Sequence, residues 1–115
     1  MVSKCVRVTF LFTFMVLVSA YLMSGSVLAD TSINIVNKNR CMACHSVDKK
    51  RVGPSFKAIA KRYDGSDQAV VHLQTTIKKG SQRRWGAIPM PAQSHVSNED
   101  ARIIAQWILS LSNGN

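Results

Sequence analysis

Two cysteines and a histidine stand close together where the sequence reads Cys41-Met42-Ala43-Cys44-His45. This C-x-x-C-H spacing is the attachment signature of c-type haem. Residues i, i+3 and i+4 share one face of a helical turn, so both thiols and the imidazole can approach one side of a porphyrin. The sequence therefore predicts one covalent haem c, with Cys41 and Cys44 as thioether links to its vinyl groups and His45 as the proximal iron ligand.

Two other uses of paired cysteines have to be weighed against haem attachment. A thioredoxin-like redox motif needs a βαβ context, and no strand-forming segment precedes or follows this pair. A structural zinc site needs four ligands, and His72 and His95 stand far apart in the sequence with no second paired motif. Haem attachment is therefore the preferred prediction.

The second axial ligand of the iron has four candidates, namely Met42, His72, Met90 and His95. Met42 belongs to the attachment turn and cannot reach the opposite face of a haem. Met90 stands between two prolines in a long loop, and these prolines fix the backbone on both sides of it. Because a rigid loop holds a weak thioether ligand at small entropic cost, the sequence predicts Met90. The two histidines are expected to be partly exposed residues on a helix and before a helix.

The first 29 residues have the pattern of a secretory signal peptide. Lys4 and Arg7 precede an almost unbroken apolar run over residues 8–23, and Val27-Leu28-Ala29 offers small side chains at the positions that signal peptidase reads. We expect cleavage after Ala29, export to the periplasm and no stable membrane insertion of the product. The alternative is an uncleaved anchor, but about 16 apolar residues are short against the ~20 that a spanning helix needs.

Cleavage would leave residues 30–115 as one domain, which is small for a large self-sufficient apolar core. Domains of this size often rely on a disulfide, a metal or a cofactor. The only cysteines left would be the motif pair, since Cys5 belongs to the signal. A disulfide across that pair would close a very short loop and stabilise little. Size and cysteine usage therefore favour a bound cofactor.

The chain is basic, with 15 Lys and Arg against 6 Asp and Glu. Loss of Lys4 and Arg7 with the signal would leave 13 basic and 6 acidic residues, a polypeptide charge of +7. Such a surplus steers a protein toward acidic surfaces. Export argues against nucleic acid, and the basic residues are scattered pairs rather than one run with interleaved aromatics. We therefore expect acidic redox-partner proteins that dock at a basic surface around the haem edge, and no nucleic acid.

Apolar residues recur with the helical period in residues 30–115, so the domain is predicted to be all-α. The predicted stripes of four helices are Ile33, Val36 and Arg40; Phe56, Ile59, Ala60 and Tyr63; Val70, Leu73 and Ile77; and Ala101, Ile104, Ala105, Ile108 and Leu111. The expected N-caps of the first, third and fourth helices are Thr31 or Ser32, Ser66 or Asp67, and Ser97. Gly80 should end the third helix, and residues 81–96 should form a long loop.

From Lys38 to Leu111 the chain resembles the small bacterial class I cytochromes c of the c-551/c-552 type. The matching pieces are Cys41-Met42-Ala43-Cys44-His45, Val52-Gly53-Pro54, Lys79-Gly80-Ser81-Gln82, Trp85-Gly86-Ala87-Ile88-Pro89-Met90-Pro91 and Ala105-Gln106-Trp107-Ile108-Leu109-Ser110. The resemblance implies a class I cytochrome c fold, with about four or five short helices wrapped around one covalent haem. It also implies a periplasmic electron carrier, for example from a bc1-type complex to a nitrite reductase, peroxidase or terminal oxidase, and no enzyme activity. We expect the protein to be a monomer.

The same resemblance implies roles for two further residues near the haem. The carbonyl oxygen of Pro54 should accept a hydrogen bond from the second ring nitrogen of His45, which fixes the imidazole. The indole N–H of Trp85 should donate to a haem propionate. The haem should pack against a set of apolar side chains, which are Phe56, Ile59, Val70, Leu73, Ile77 and Ile88.

The chain departs from the family pattern at two positions near the haem. Thr76 stands where the family often has Arg or His close to a propionate, so the pH dependence of the reduction potential should differ from that of relatives. Gln93 stands where the family usually has the Asn that supports the ligand sulfur, so the support of Met90 should differ as well.

Two rival functions remain open at the level of sequence. One is a haem enzyme or gas sensor, in which Met90 does not bind iron and the sixth site accepts a small molecule; no distal acid–base pair for such chemistry is evident. The other is a membrane-tethered cytochrome domain that keeps residues 1–29. Prompt binding of carbon monoxide would favour the first rival, and an N-terminus at Met1 would favour the second.

The signal peptide and the haem predict the mass of the native protein. Material isolated from its own compartment should begin at Asp30 and should weigh as much as residues 30–115 plus one haem. Intact-mass spectrometry and N-terminal sequencing check both points. A chain that begins at Met1, or a mass without haem, would contradict the corresponding prediction.

Overall fold

The computed structural model describes residues 26–64, 66 and 68–113. Its helices are α1 (Ser26–Lys38), α2 (Phe56–Tyr63), α3 (Ala69–Lys79) and α4 (Asn98–Ser110), with 3-10 turns at Cys41–Ala43 and Leu111–Asn113. Within the described part of the chain there is no strand, only one antiparallel bridge between Ser81 and Met90. The all-α prediction is confirmed. No helix in that part has the length and apolar character needed to cross a membrane.

The predicted signal peptide lies mostly outside the described residues, so its cleavage stays a prediction. The chain divides into two compact units, Met1–Asp30 and Thr31–Asn115. That division falls one residue after the predicted cleavage position.

Two helices start at serine caps. The Ser55 hydroxyl accepts a hydrogen bond from the backbone N–H of Ala58 (3.1 Å), and the Ser97 hydroxyl accepts one from the backbone N–H of Asp100 (2.9 Å). Each hydroxyl satisfies an N–H group that has no partner inside its own helix. The predicted cap at Ser97 is therefore confirmed, and Ser55 is a cap that the sequence pattern did not single out.

The caps predicted for the other two helices are wrong. Helix α1 begins at Ser26, so Thr31 and Ser32 lie inside it, because the helix-forming residues Leu28 and Ala29 extend the pattern upstream. Gln68 occupies the N-cap position of α3, without a side-chain hydrogen bond, so Ser66 is not the cap. Asp67 lies outside the described residues.

Arg40 was expected on the stripe of the first helix, and that expectation is also wrong. Helix α1 ends at Lys38, and Arg40 adopts a left-handed backbone conformation with φ of 57°. This non-helical conformation ends the path of the helix before the turn that carries Cys41. The left-handed residue thus sets the path into the cysteine motif.

The core lies where α4 packs against α3 and α2. Its buried members are Val36, Phe56, Ile59, Ala60, Leu73, Ile77, Val96, Ala101, Ile104, Ala105 and Ile108. Full burial of one aliphatic or Phe side chain stabilises a fold by about 1.5–3 kcal/mol. Gly80 ends α3 with φ of 77°, as predicted.

An acidic residue joins the first and last helices. The Asp100 carboxylate accepts a hydrogen bond from the Asn39 side chain (3.2 Å) and pairs with Lys38 (3.6 Å). The hydrogen bond from Asn39, and after it the charge of Lys38, lowers the pKa of Asp100. Since the folded state prefers the ionised carboxylate, this tie stabilises the fold above the usual Asp pKa and is lost as the pH falls through the lowered value.

The Ser97 cap predicts the cost of removing one hydroxyl. Ser97→Ala should lower the free energy of unfolding by about 1 kcal/mol, because the N–H of Asp100 loses its acceptor. Denaturant unfolding of the holoprotein measures the change. Ser94→Ala is the matched control, since that serine is exposed and caps no helix. Equal stability of the two variants would contradict the role of the cap.

Candidate haem site

The cysteine motif forms a tight turn directly after the left-handed Arg40. The backbone N–H of His45 donates to the carbonyl oxygen of Cys41 (3.1 Å), and the N–H of Gly53 donates to that of Cys44 (2.8 Å). Cys41 is half-buried and Cys44 is exposed, and no disulfide joins them. Burial raises the pKa of the Cys41 thiol.

His45 is buried and its ring is held in one orientation. Its Nδ1 lies 2.8 Å from the carbonyl oxygen of Pro54, the contact that the resemblance implied. A carbonyl can only accept, so Nδ1 carries the proton and the lone pair of Nε2 is available to a metal. The ring also stacks on Phe56, with centroids 5.1 Å apart and planes 22° apart. His45 therefore has the tautomer and the fixed position of an axial ligand.

Gly53 lies directly against this ring, a role that sequence reasoning missed. A Cβ atom at Gly53 would lie 2.8 Å from Nδ1 and 3.0 Å from Nε2 of His45, closer than real carbon contacts allow. Any side chain there would push the imidazole out of position. The only signal in the sequence was the place of Gly53 in the Val52-Gly53-Pro54 segment.

Met90 belongs to the long loop between α3 and α4. Hydrogen bonds, as well as its prolines, restrict the conformation of this loop. Ser81 and Met90 exchange two backbone hydrogen bonds of 2.9 Å each, and the N–H of Gln93 donates to the carbonyl oxygen of Ile77 (2.9 Å). The Gln93 amide donates to the carbonyl oxygen of Pro91 (3.0 Å), so it braces the loop backbone. The loop expected for residues 81–96 is thus confirmed, and it is closed at its base.

Gly80 backs Met90 much as Gly53 backs His45. Its φ of 77° lies in the left-handed region. A Cβ atom there would press on the carbonyl oxygen of Met90 and would lie 2.9 Å from the backbone nitrogen of Ala92. Each residue predicted to bind the iron therefore depends on a glycine that leaves room behind it.

One cleft, with about 1210 Å³ of unfilled space including its open side, brings the predicted site residues together. Those that line it are Cys41, Cys44, His45, Pro54, Trp85 and Met90. Five of the six apolar side chains expected to pack the haem line it as well, namely Phe56, Ile59, Leu73, Ile77 and Ile88. Val70 does not; that expectation is wrong, because the first turn of α3 packs Val70 on the helical core instead.

The other candidates for the second axial ligand do not line this cleft. Met42, His72 and His95 are not among its lining residues, whereas Met90 is. His72 is half-buried on α3 and His95 is exposed before α4, as expected. Within residues 26–64, 66 and 68–113, no three His, Cys, Asp or Glu side chains form a metal-binding group, which speaks against the zinc alternative.

The rim of the cleft is cationic. Trp85 lines it, and the guanidinium carbon of Arg62 lies 4.6 Å from the centroid of the Trp85 ring. Arg40, Arg84 and Thr76 also line it. The donation from Trp85 to a propionate stays a prediction.

These residues fit a covalent haem. Two cysteines stand at the attachment spacing, a buried imidazole offers Nε2, and the walls of the cleft are largely apolar. An all-α domain with such a cleft and a C-x-x-C-H turn defines the class of small mono-haem proteins to which the class I cytochromes c belong.

Comparisons with known proteins agree with this class. The family model for cytochrome c matches residues 34–112. Cytochrome c-552 of Nitrosomonas europaea is 46% identical over 93 residues, which cover 81% of this chain and 88% of that protein. Cytochrome c-551 of Pseudomonas denitrificans is 44% identical over 81 residues, which cover 70% of this chain and 98% of the other.

Solved structures show the same fold. The crystal structure of the Nitrosomonas europaea cytochrome c552 matches with a TM-score of 0.69 at 46% identity, covering 70% of this chain and 99% of that one. The Class 1 cytochrome MtoD of Sideroxydans lithotrophicus matches with a TM-score of 0.59 at 28% identity, covering 71% and 94%. The chain belongs to the cytochrome c family. Its fold is the class I cytochrome c fold, and it carries one covalent c-type haem for electron transport.

The two glycines with positive φ provide a matched test of the methionine loop. Gly86→Ala should cost about 1–2 kcal/mol of stability through the left-handed backbone alone, because nothing lies within 4 Å of its Cβ position. Gly80→Ala should cost more, since its Cβ atom also meets the backbone at Met90 and Ala92. Thermal unfolding of the two holoproteins measures the difference. Equal losses would show that Gly80 does not support the loop.

Proposed function

We propose that this protein is an exported one-electron carrier whose haem iron is bound by His45 and Met90. One observation carries the proposal: the same cleft contains the attachment turn, the fixed imidazole of His45 and the side chain of Met90. A haem bound there supplies the exchange between ferric and ferrous iron. The protein sets its position, its exposure and its axial ligands.

Each axial residue has a distinct part in this proposal. Nε2 of His45 would bind the iron while Nδ1 donates to the carbonyl oxygen of Pro54, a hydrogen bond that holds the ring in one orientation and one tautomer. The thioether of Met90 would be the second ligand of the iron and would favour ferrous iron relative to stronger donors. Burial among apolar side chains disfavours the extra charge of ferric iron. The reduction potential should therefore be positive.

The lining of the cleft supports a carrier over an enzyme. Among the described residues that line it there is no Asp, no Glu and no histidine besides His45. Activation of peroxide or dioxygen would need an open sixth site and a group that moves protons beside it. Cys41 and Cys44 serve attachment of the haem, and His45 is assigned to the iron.

The exposed edge of the cleft supports docking of a partner protein. Val52 and Ile88 both line the cleft, yet their exposed fractions are 54% and 65%. Arg40 and Arg84 line the same cleft. An apolar edge with cations nearby suits an acidic partner protein. We expect the protein to dock on this partner as a monomer, with its haem edge at the interface.

The rate of electron exchange with such a partner should fall as salt is added, because salt screens the attraction between the opposite charges.

The N-terminal sequence supports export. The positive start, the apolar run over residues 8–23 and the small residues before Asp30 are those of a secretory signal. Covalent haem at C-x-x-C-H and the domain over residues 30–115 are consistent with a periplasmic product.

Carbon monoxide distinguishes the proposed carrier from a gas-binding protein. The reduced protein should not bind carbon monoxide promptly at neutral pH, because Met90 occupies the sixth site. Met90→Leu should bind it promptly, since leucine fills similar volume without a ligand atom. Absorption spectra before and after addition of the gas provide the measurement.

Met42→Leu is the control, because Met42 does not line the cleft. It should behave as the unmodified protein does. Prompt binding by the unmodified reduced protein would overturn the ligand assignment and would favour the gas sensor.

A further inference from the structure

A connected polar cluster lies where α2, α3 and the long loop meet. Nε2 of His72 lies 3.2 Å from the hydroxyl oxygen of Tyr63 and 3.2 Å from a terminal nitrogen of Arg84. The rings of Tyr63 and His72 are 4.9 Å apart. Arg62 donates to the carbonyl oxygen of Arg84 (2.7 Å) while it covers the ring of Trp85. The backbone and the side chain of Arg84 are therefore both held.

The protonation of His72 follows from these contacts. A guanidinium only donates, so Nε2 must accept and Nδ1 must carry the proton. Burial, and after it the charge of Arg84, lowers the pKa of His72. Tyr63 from α2 and Arg84 from the loop are the titratable or charged groups in contact with it. The residues four positions before and after it are uncharged: Gln68, the N-cap of α3, and Thr76 on α3. At neutral pH the imidazole is uncharged and holds Arg84.

The chemistry of haem indicates what Arg84 faces. Haem carries two carboxylates on the pyrroles opposite those that bear the vinyl groups, and here the vinyl carbons are bonded to Cys41 and Cys44. Arg40 and Arg84 are the only lysines or arginines among the described residues that line the cleft. Arg40 directly precedes Cys41 and so belongs to the vinyl edge, which leaves Arg84 for the carboxylate edge.

We propose that Arg84 is the cation that faces the haem carboxylates in this protein, and that His72 positions it and makes the reduction potential depend on pH. Thr76 and Arg84 both line the cleft, but Thr76 carries no charge. Arg84 thereby supplies the positive charge that is missing at Thr76. The inference rests on the covalent haem. It does not rest on Met90 as a ligand or on the identity of a partner, so it can fail independently of the proposed function.

The direction of the pH effect follows from charge. Protonation of Nε2 removes the acceptor for Arg84 and adds a second positive charge beside it. Positive charge near the haem disfavours ferric iron, so the reduction potential rises as the pH falls through the pKa of His72. Since that pKa is lowered, the rise should occur on the acid side of the usual histidine range. By linkage, His72 should bind its proton more tightly in the reduced protein.

The role of Arg84 is tested by electrochemistry of two neighbouring variants. Arg84→Gln should lower the potential at pH 8, where His72 is neutral. Arg83→Gln removes the same charge from a neighbouring exposed residue that, unlike the equally exposed Arg84, does not line the cleft, so its shift should be smaller and should disappear at high salt. Equal shifts in the two variants would overturn the assignment of Arg84.

The role of His72 is tested by titration. Nuclear magnetic resonance of the imidazole gives its pKa in both redox states, and the potential should show a step at that pH. His72→Gln keeps an acceptor for Arg84 without a titrating group, so this step should vanish while the potential at pH 8 stays near that of the unmodified protein. A step that survives in His72→Gln, or one pKa shared by both redox states, would overturn the coupling.

Discussion

The hydrogen bond between Nδ1 of His45 and the carbonyl oxygen of Pro54 is the constraint on which the rest of the site depends. It places the proton on one ring nitrogen and leaves the other free for a metal. It works only because Gly53 has no side chain, since a Cβ atom would occupy the space of the ring. Phe56 stacks on the His45 ring and in turn packs edge-to-face against Trp107, with the centroids of the Phe56 and Trp107 rings 5.1 Å apart. The His45 ring thus packs against a side chain of the helical core.

On the methionine side of the cleft a glycine also leaves room for the residue that is predicted to bind iron, but there it belongs to a loop instead of a turn. Gly80 ends α3, turns the chain through a left-handed residue and leaves room for the backbone at Met90. The paired hydrogen bonds between Ser81 and Met90 close the base of the loop. A thioether is a weak ligand of iron. A loop that already holds Met90 in place lowers the entropic cost of binding and so favours the bond between the thioether and the iron. Haem binding is therefore coupled to the folding of the chain.

Local patterns predicted most of the fold and the place of the cofactor. The C-x-x-C-H turn, the bounds of α2, the Ser97 cap and the end of α3 at Gly80 all depend on neighbours within one or two turns. Contacts between distant segments were not readable in this way. The tie from Asp100 to Asn39, the cluster of Tyr63, His72 and Arg84, and the contact of Gly53 with the His45 ring each depend on how the helices pack. The start of α1 was missed because its pattern continues upstream of the predicted cleavage position.

The central claim, that one cleft holds a haem between His45 and Met90, is tested most directly by proton resonance of the reduced protein with isotope-labelled methionine methyl groups. Residues 30–115 contain two methionines, Met42 and Met90. A methyl group bound through sulfur to the iron lies over the porphyrin, and the ring current shifts its signal far upfield. The account predicts one such signal, from Met90, and an ordinary signal from Met42. Two ordinary methyl signals in a haem-loaded protein would contradict it.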